Sequence, residues 1–358
     1  TFITMVYIIF VNPQMMASSG MDQGASFVGT CIAAALACFF MGLYANWPVG
    51  MAPGMGLNAF FTYTVVGDMG YSWQIALGAV FLAGILFVIM SVTRLRRWML
   101  DSIPLNMRIA MGVGVGLFVG FIGLKSGGII VANGATYLTL GDLTRPDTVL
   151  AAFGFTVISV LSIRKVPGAI IIGILSTTII ALFMGLVEFN GLVAAPPDIT
   201  PTFMQLDILG ALDVTMVSVV IAFLFVNLFD TAGTLLGVAS RAGLVDEQGN
   251  AQNLDRALKA DSSSSVMGAF FGCAPVTSYV ESSAGVEAGG RTGLTAVVVG
   301  ICFLLAIFFS PLASMVPAYA TAGALFYVAI LMLGGMESLE WSDMSEVLPA
   351  CLLYTSPS

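Results

Sequence analysis

Long apolar runs alternate with short polar joints along almost the whole chain. Most runs are long enough to cross about 30 Å of hydrocarbon as a helix, and most joints are too short to form soluble domains. The pattern predicts an all-α polytopic membrane protein with about twelve crossings. We place the spans at residues 1–16, 27–46, 48–66, 73–92, 105–125, 148–163, 168–187, 213–239, 261–273, 275–290, 293–312 and 317–336.

The third and tenth of these spans are interrupted near their start by similar motifs, Gly50-Met-Ala-Pro53 and Gly272-Cys-Ala-Pro275. Because proline lacks a backbone donor and favours an extended residue before it, each segment should run as a short strand and then restart as a half-helix. The freed backbone groups are tolerated at membrane depth only where protein or a water-filled cavity satisfies them. We therefore expect the two broken spans to meet at a polar pocket, near the positive ends of their half-helices.

Polar residues follow each proline motif and also interrupt the eighth span. Asn58 follows the first motif, and Glu281 follows the second. Asp230 lies well inside 213–239, with Thr234 at i+4 on the same helical face. A carboxylate in a membrane is costly unless it faces a cavity or a partner, so Asp230 and Glu281 are candidate functional residues. For Asn58, an amide that joins neighbouring helices is the alternative.

A Val-Asn pair precedes each proline motif, Val11-Asn12 in one case and Val226-Asn227 in the other. The same features in the same order predict two related halves. The second copy begins seven spans after the first, and an odd number of spans inverts its orientation. Two complete halves would give an inverted 7+7 repeat, so we expect the last two spans to be missing. We also expect sequence before Thr1 and a non-native tail at 351–358.

Composition agrees with a membrane protein and removes several functional classes. The 358 residues are 58% hydrophobic and 9% charged, which is too apolar for a soluble globule. The net charge of −8 comes mostly from acids in short joints, so we predict no nucleic-acid partner. With no histidine and five unpaired cysteines, Ser/His or Cys/His catalysis is excluded and a metal site is disfavoured. We expect neither a cofactor nor an enzymatic activity.

The basic residues indicate the orientation in the membrane. If the first span runs outward, all 12 Lys and Arg residues except Lys125 and Arg145 lie on cytoplasmic joints. This bias predicts a multi-pass protein of the cell (inner or plasma) membrane with cytoplasmic termini.

Two shorter patterns predict local contacts. Glu287 and Arg291, spaced i and i+4, are expected to pair near the cytoplasmic end of the tenth span. Gly112, Gly116 and Gly120 are spaced for close contact with another helix.

Five segments together carry a specific resemblance: Val11–Pro13, Ala52–Phe61, Leu228–Leu235, Thr277–Val286 and Gly290–Ala296. They resemble the AzgA-type purine permeases of the nucleobase–ascorbate transporter superfamily, over Thr1 to about Ala350. The resemblance implies a uracil-transporter-like fold with a core domain and a gate domain. The core would take residues 1–92 and 213–312, and the gate would take residues 105–187 and a truncated 317–350.

The resemblance also implies a function. Members of the family import adenine, guanine or hypoxanthine together with protons, and a homodimer is expected from the fold. By position, the family's purine-contacting asparagine, aspartate and glutamate match Asn58, Asp230 and Glu281. Tyr279 and Val280 fall where relatives place ring contacts and backbone donors.

The proton relay implied by related uracil carriers needs one change. There a histidine follows the eighth-span acid by four residues, whereas this chain has Thr234, which we keep as a candidate substrate-binding residue. Protonation of a carboxylate removes a charge and creates a donor, so it links proton binding to substrate binding. Glu281 is the first candidate for the proton-coupling residue, and Asp230 is the second.

Other functional classes remain as alternatives. The same fold could carry another nucleobase, such as xanthine or uracil, or an anion, although two pocket carboxylates would repel an anion. Asp230-Thr-Ala-Gly233 has a passing likeness to an intramembrane aspartyl protease motif, but the sequence has no second Gly-x-Gly-Asp. A channel would need no coupling acids.

Overall fold

The computed structural model describes residues 1–93, 105–245 and 251–338. The predicted tail at 351–358, and the part of 317–350 beyond residue 338, lie outside the described residues. In chain order the helices are α1 (Phe2–Met5), α2 (Ile8–Ser18), α3 (Gln23–Phe40), α4 (Met55–Ala59), α5 (Trp73–Val92), α6 (Leu105–Ser126), α7 (Pro146–Ile163), α8 (Ala169–Phe183), α9 (Val214–Ala242), α10 (Leu254–Phe270), α11 (Ser282–Glu287), α12 (Leu294–Ala306), α13 (Ser310–Met315) and α14 (Ala318–Leu333). The strands are β1 (Met51–Pro53), β2 (Ile130–Asn133), β3 (Tyr137–Leu140) and β4 (Val276–Ser278).

Several helices have the length and composition to cross a membrane. Within the described ranges there are five such helical segments, and four shorter apolar helices accompany them. The five are Gln23–Ala45, Trp73–Val92, Pro146–Ile163, Val214–Ala242 and Leu294–Met315. The first of them continues α3 through wide π-helical turns at Met41–Ala45.

The chain divides into two compact units. The first unit contains Thr1–Ile103 and Ala194–Ser310. Within it, α3 packs against α2, α10 and α12, and α5 packs against α9 and α10. The largest fully buried side chains of this unit include Trp47, Phe223 and Phe303. These apolar contacts hold the two broken spans inside the first unit.

The second unit contains Pro104–Val193 and Pro311–Ser358. Within it, α14 packs against α6, α7 and α8. An antiparallel hairpin of β2 and β3 follows α6, with Ile130 opposite Leu140 and Asn133 opposite Tyr137.

The broken spans have the structure that their prolines predict. β1 and β4 pair antiparallel, with Met51 opposite Ser278 and Pro53 opposite Val276. Each strand is followed by a restarted helix, α4 after β1 and α11 after β4. The third span then continues as π-helical turns over Phe60–Asp68. The paired strands satisfy each other's backbone groups, which explains how extended chain is accommodated inside the unit.

The two Val-Asn pairs make equivalent contacts. Asn12 Nδ2 donates a hydrogen bond to Thr30 Oγ1 at 2.6 Å, and Asn227 Nδ2 donates one to Ser265 Oγ at 2.8 Å. In both cases the asparagine ties its own helix to the next long helix of the chain, α2 to α3 and α9 to α10.

Gly116 and Gly120 contact α14 closely, as their spacing predicts, but Gly112 does not. A Cβ at Gly116 would lie 2.7 Å from Met332 Cβ, and one at Gly120 would lie 2.9 Å from Ala329 Cβ, whereas one at Gly112 would meet no atom of the described residues within 4 Å. Overpacking of this kind costs about 1–3 kcal/mol. We expect Gly120→Leu to lower the thermal unfolding midpoint of the purified protein by several degrees.

The matched control is Gly112→Leu on the same helix. It should leave the midpoint unchanged or raise it slightly, because leucine is a better helix former than glycine. An equal loss of stability in both variants would contradict a close contact at Gly120.

The predicted pair between Glu287 and Arg291 is wrong. Glu287 pairs instead with Arg241 of α9, at 3.4 Å between Oε1 and Nη1, and Arg291 Nη1 donates to the Arg241 carbonyl oxygen at 2.7 Å. The physical reason is that α11 ends at Glu287 and the chain turns at Gly289, where φ is +104°. The i, i+4 spacing therefore does not correspond to one helical turn.

Candidate functional site

Asn58 lies in α4, directly after the paired strands, and its side chain is completely buried. Neither its amide nitrogen nor its amide oxygen has a hydrogen-bond partner among the described residues. A buried polar group without a partner is destabilising and uncommon in folded proteins. The α4 helix also contacts α9, which carries Asp230. Asn58 thus has one donor group and one acceptor available for a ligand.

Glu281 occupies the N-terminal cap position of α11, three residues after the end of β4. Its carboxylate is held by the first span, because the Tyr7 hydroxyl donates to Oε1 at 2.7 Å. The Thr4 hydroxyl lies 3.3 Å from the Glu281 carbonyl oxygen, although its shorter contact is to the Thr1 carbonyl oxygen at 2.7 Å. Tyr7 is buried, whereas Glu281 is partly exposed. The acid is therefore fixed in position and still reachable.

Asp230 lies in the middle of α9, and its side chain is exposed. Its carboxylate is within electrostatic range of Asp261 and Glu281 and within hydrogen-bond reach of the Thr277 side chain. Tyr279 is within the same range of both Asp230 and Glu281. The structure thus brings together three of the residues that the sequence singles out, one from α9 and two from the second broken span.

Tyr279, Val280 and Thr234 differ in what their side chains can offer. The Tyr279 hydroxyl donates to the Pro53 carbonyl oxygen at 2.6 Å, and its backbone N–H donates to the Gly50 carbonyl oxygen at 3.0 Å. Its ring is therefore fixed against β1. Val280 is 54% exposed and presents an apolar surface next to Glu281. Thr234 is partly exposed.

Asp261 is a buried acid that sequence reasoning missed. It is fully buried in α10 and accepts a hydrogen bond from Thr231 Oγ1 at 2.6 Å and one from Ser278 Oγ at 2.7 Å. These bonds join α9, α10 and β4 at the cluster. The donor from α9 is Thr231, which lies one residue after Asp230. The available signal was an acid followed by four serines inside a helical stretch.

The side chains of this cluster determine which kind of ligand it can bind. Carboxylates accept hydrogen bonds, whereas an amide both donates and accepts. The exposed side chain of Val280 offers apolar surface beside them, and the buried ring of Tyr279 is fixed against β1. Such a set suits a small planar heterocycle with N–H groups on its edge. Within the described ranges, no group of three or more His, Cys, Asp or Glu residues is arranged to hold a metal ion.

The fold and this polar cluster together define a helical membrane transporter. The chain is similar to the solved transmembrane domain of a cyanobacterium bicarbonate transporter, BicA, with a TM-score of 0.74 at 17% sequence identity. The match covers 99% of this chain and 94% of that one, and at this identity it shows the fold alone. The chain belongs to the Permease family, whose model matches residues 1–355.

Individual relatives narrow the class. Over 350 residues the chain is 48% identical to the adenine permease AdeP of Escherichia coli (strain K12), covering 98% of this chain and 79% of AdeP. It is 44% identical over 364 residues to the guanine/hypoxanthine permease PbuG of Bacillus subtilis (strain 168), covering 98% of this chain and 82% of PbuG. The resemblance to purine permeases seen in the sequence motifs is confirmed. These relatives are permeases, not enzymes.

Proposed function

We propose that this protein imports a purine nucleobase, adenine, guanine or hypoxanthine, by proton symport with alternating access. The observation that carries the proposal is the cluster of Asp230, Tyr279 and Glu281 beside two paired broken spans. A purine fits this cluster because its edge carries N–H donors and ring-nitrogen acceptors. The purine permeases AdeP and PbuG, which are similar to this chain over nearly its whole length, support the substrate class.

In this proposal the substrate contacts come from both broken spans and from α9. Glu281 and Asp230 accept hydrogen bonds from the purine edge, and Asn58 supplies the donor and acceptor that have no partner in the described residues. Tyr279 and Val280 lie against the flat ring, and Thr234 is a further candidate contact. Charge-assisted hydrogen bonds to carboxylates are the strong ones, so the two acids should dominate affinity.

Proton coupling is assigned to Glu281 first and to Asp230 second. Two carboxylates within electrostatic range repel each other when both are ionised, so protonation of one relieves the repulsion. A protonated acid also gains a donor toward a ring nitrogen. Proton and purine binding thereby favour each other, and this mutual effect is the thermodynamic basis of symport.

The proposal includes an architecture. The first compact unit corresponds to the core domain and the second to the gate domain of an inverted 7+7 repeat. The antiparallel pairing of β1 with β4 and the equivalent contacts of Asn12 and Asn227 support two related halves. The protein is placed in the cell membrane with cytoplasmic termini, where it would act as a homodimer.

The test is uptake of labelled adenine and hypoxanthine by a host that lacks its own purine permeases and carries the full-length gene. We expect saturable accumulation that a protonophore abolishes and that replacement of sodium leaves unchanged. Competition by unlabelled adenine, guanine and hypoxanthine ranks the purines. Absence of purine uptake at an expression level verified in the membrane would refute the proposal.

The second candidate is transport of an anion, which the fold of the bicarbonate transporter BicA favours. The charge of the cluster opposes it, since Asp230 and Glu281 would repel an anion. Competition by bicarbonate, xanthine and uracil in the same assay separates these alternatives from a purine carrier.

A further inference from the structure

The first span is joined to the candidate binding acid by an interaction that the sequence motifs do not mark. Tyr7 and Glu281 are 274 residues apart, yet the Tyr7 hydroxyl donates to Glu281 Oε1 at 2.7 Å. This distance is in the range of charge-assisted O–H to carboxylate bonds, which are stronger than neutral ones. Tyr7 is only 1% exposed, so the donor side of the bond is buried while the acid remains partly exposed.

The geometry of the first span explains how Tyr7 reaches the acid. The helix is interrupted between α1 and α2, and Tyr7 lies at this break. A second close contact joins the start of the first span to α11, since a Cβ at Gly285 would collide with the Thr1 side chain. The lack of a side chain at Gly285 therefore allows the start of the first span to lie directly against α11. The Thr4 hydroxyl, which bonds the Thr1 carbonyl oxygen at 2.7 Å, also lies 3.3 Å from the carbonyl oxygen of Glu281.

We propose that Tyr7 is a positioning residue for purine binding, which acts by holding the Glu281 carboxylate in the orientation that meets the substrate. The inference rests on the proposed function, because it requires Glu281 to contact the purine. Tyr7 occupies one oxygen of the acid, so the substrate approaches a carboxylate whose rotation is already restricted. A pre-oriented acceptor binds its ligand more tightly than a mobile one, because less conformational freedom is lost on binding.

The test compares Tyr7→Phe with the wild-type full-length protein in adenine and hypoxanthine uptake. Phenylalanine keeps the ring and removes only the donor. Because a hydrogen bond to a charged group contributes enough free energy for a tenfold effect or more, we expect KM to rise about 10-fold. The maximal rate should change less than about twofold, since the acid itself remains. The control is Tyr63→Phe, which removes a hydroxyl that faces Ser18 in the same unit and should leave KM unchanged.

A binding measurement separates positioning from folding. In detergent, a saturating purine should raise the unfolding midpoint of the wild type, because a ligand that binds only the folded state stabilises it. At purine concentrations near the wild-type KM, Tyr7→Phe should show a smaller rise, with the same ligand-free midpoint as Tyr63→Phe. An unchanged KM and an unchanged purine-induced rise in Tyr7→Phe overturn the inference. If the wild type neither transports purine nor is stabilised by it, the proposed function fails, and the inference fails with it.

Discussion

Glu281→Gln is expected to remove purine accumulation and to weaken purine binding about 100-fold or more. A site built to accept a hydrogen bond discriminates strongly once that acceptor is lost. Glutamine keeps the shape of the side chain but replaces one acceptor oxygen with an NH2 donor. The carboxylate accepts hydrogen bonds from the Tyr7 hydroxyl and, in the proposal, from a purine N–H. In the glutamine variant one of these two donors would face an NH2 group, which cannot accept its hydrogen bond. The neutral amide also cannot take up a proton in the working pH range, so coupling is lost with affinity.

The matched control is Glu287→Gln at the last residue of the short helix α11, because Glu287 makes none of the proposed substrate contacts. Glu287 is exposed and pairs with Arg241 at 3.4 Å, an interaction of a kind that contributes little at a surface. KM and accumulation should stay within about twofold of the wild-type values, because an exposed ion pair contributes little free energy. Both quantities are measured with labelled adenine and hypoxanthine. Full accumulation with an unchanged KM in Glu281→Gln would remove this residue from both proposed roles.

The broken spans are the part of the fold that the sequence predicts best. The two prolines interrupt the helix locally, so a break near Pro53 and Pro275 follows from the sequence, and the pairing of β1 with β4 then holds the chain extended. The positions of Asn58 and Glu281 at the restarted helices follow in turn, because both come shortly after a strand. Sequence rules suffice for these features, because a proline affects the backbone only within a few residues of its own position.

The contacts of Tyr7 and Asp261 depend on the tertiary structure and could not be predicted from the sequence pattern. Tyr7 could not be singled out, because its partner is 274 residues away and a tyrosine in an apolar helix is an ordinary packing residue. Asp261 was set at the edge of a span, since the apolar pattern starts there, whereas α10 begins at Leu254. The predicted pair of Glu287 and Arg291 is wrong because it assumes helical spacing beyond Glu287, where α11 ends. Pairing across the fold is a tertiary property that one sequence does not contain.

Asp261→Ala is expected to have the largest effect on stability, and it should also reduce purine uptake more than 10-fold. The change leaves the hydroxyls of Thr231 and Ser278 without their acceptor inside the protein, where the Asp261 side chain is 0% exposed. Each lost acceptor costs about 1–3 kcal/mol. Relief of repulsion between Asp261 and Asp230 acts in the opposite direction, but it does not restore the two lost acceptors. We therefore expect the unfolding midpoint to fall by about 5 °C or more.

The controls for this change separate the hydrogen bonds from the charge. Asp255→Ala removes an exposed acid from the same helix and should leave the midpoint unchanged. Asp261→Asn keeps one acceptor oxygen, so it should lose less stability than Asp261→Ala. Thr231→Val should lower the midpoint because it breaks the 2.6 Å bond to Asp261. Equal midpoints for Asp261→Ala and Asp255→Ala would show that these bonds do not stabilise the junction.

The same series tests how the junction affects binding. Ser278 belongs to β4, and Glu281 follows three residues later, so the bond from Ser278 to Asp261 anchors the strand that leads to the binding acid. Loss of this anchor should raise KM along with the loss of stability, because Glu281 would no longer start from a fixed strand. Ser278→Ala removes that bond and keeps the bond from Thr231, so it should raise KM more than Thr231→Val does. A larger rise of KM in Thr231→Val would instead mean that the junction acts through α9 and Asp230.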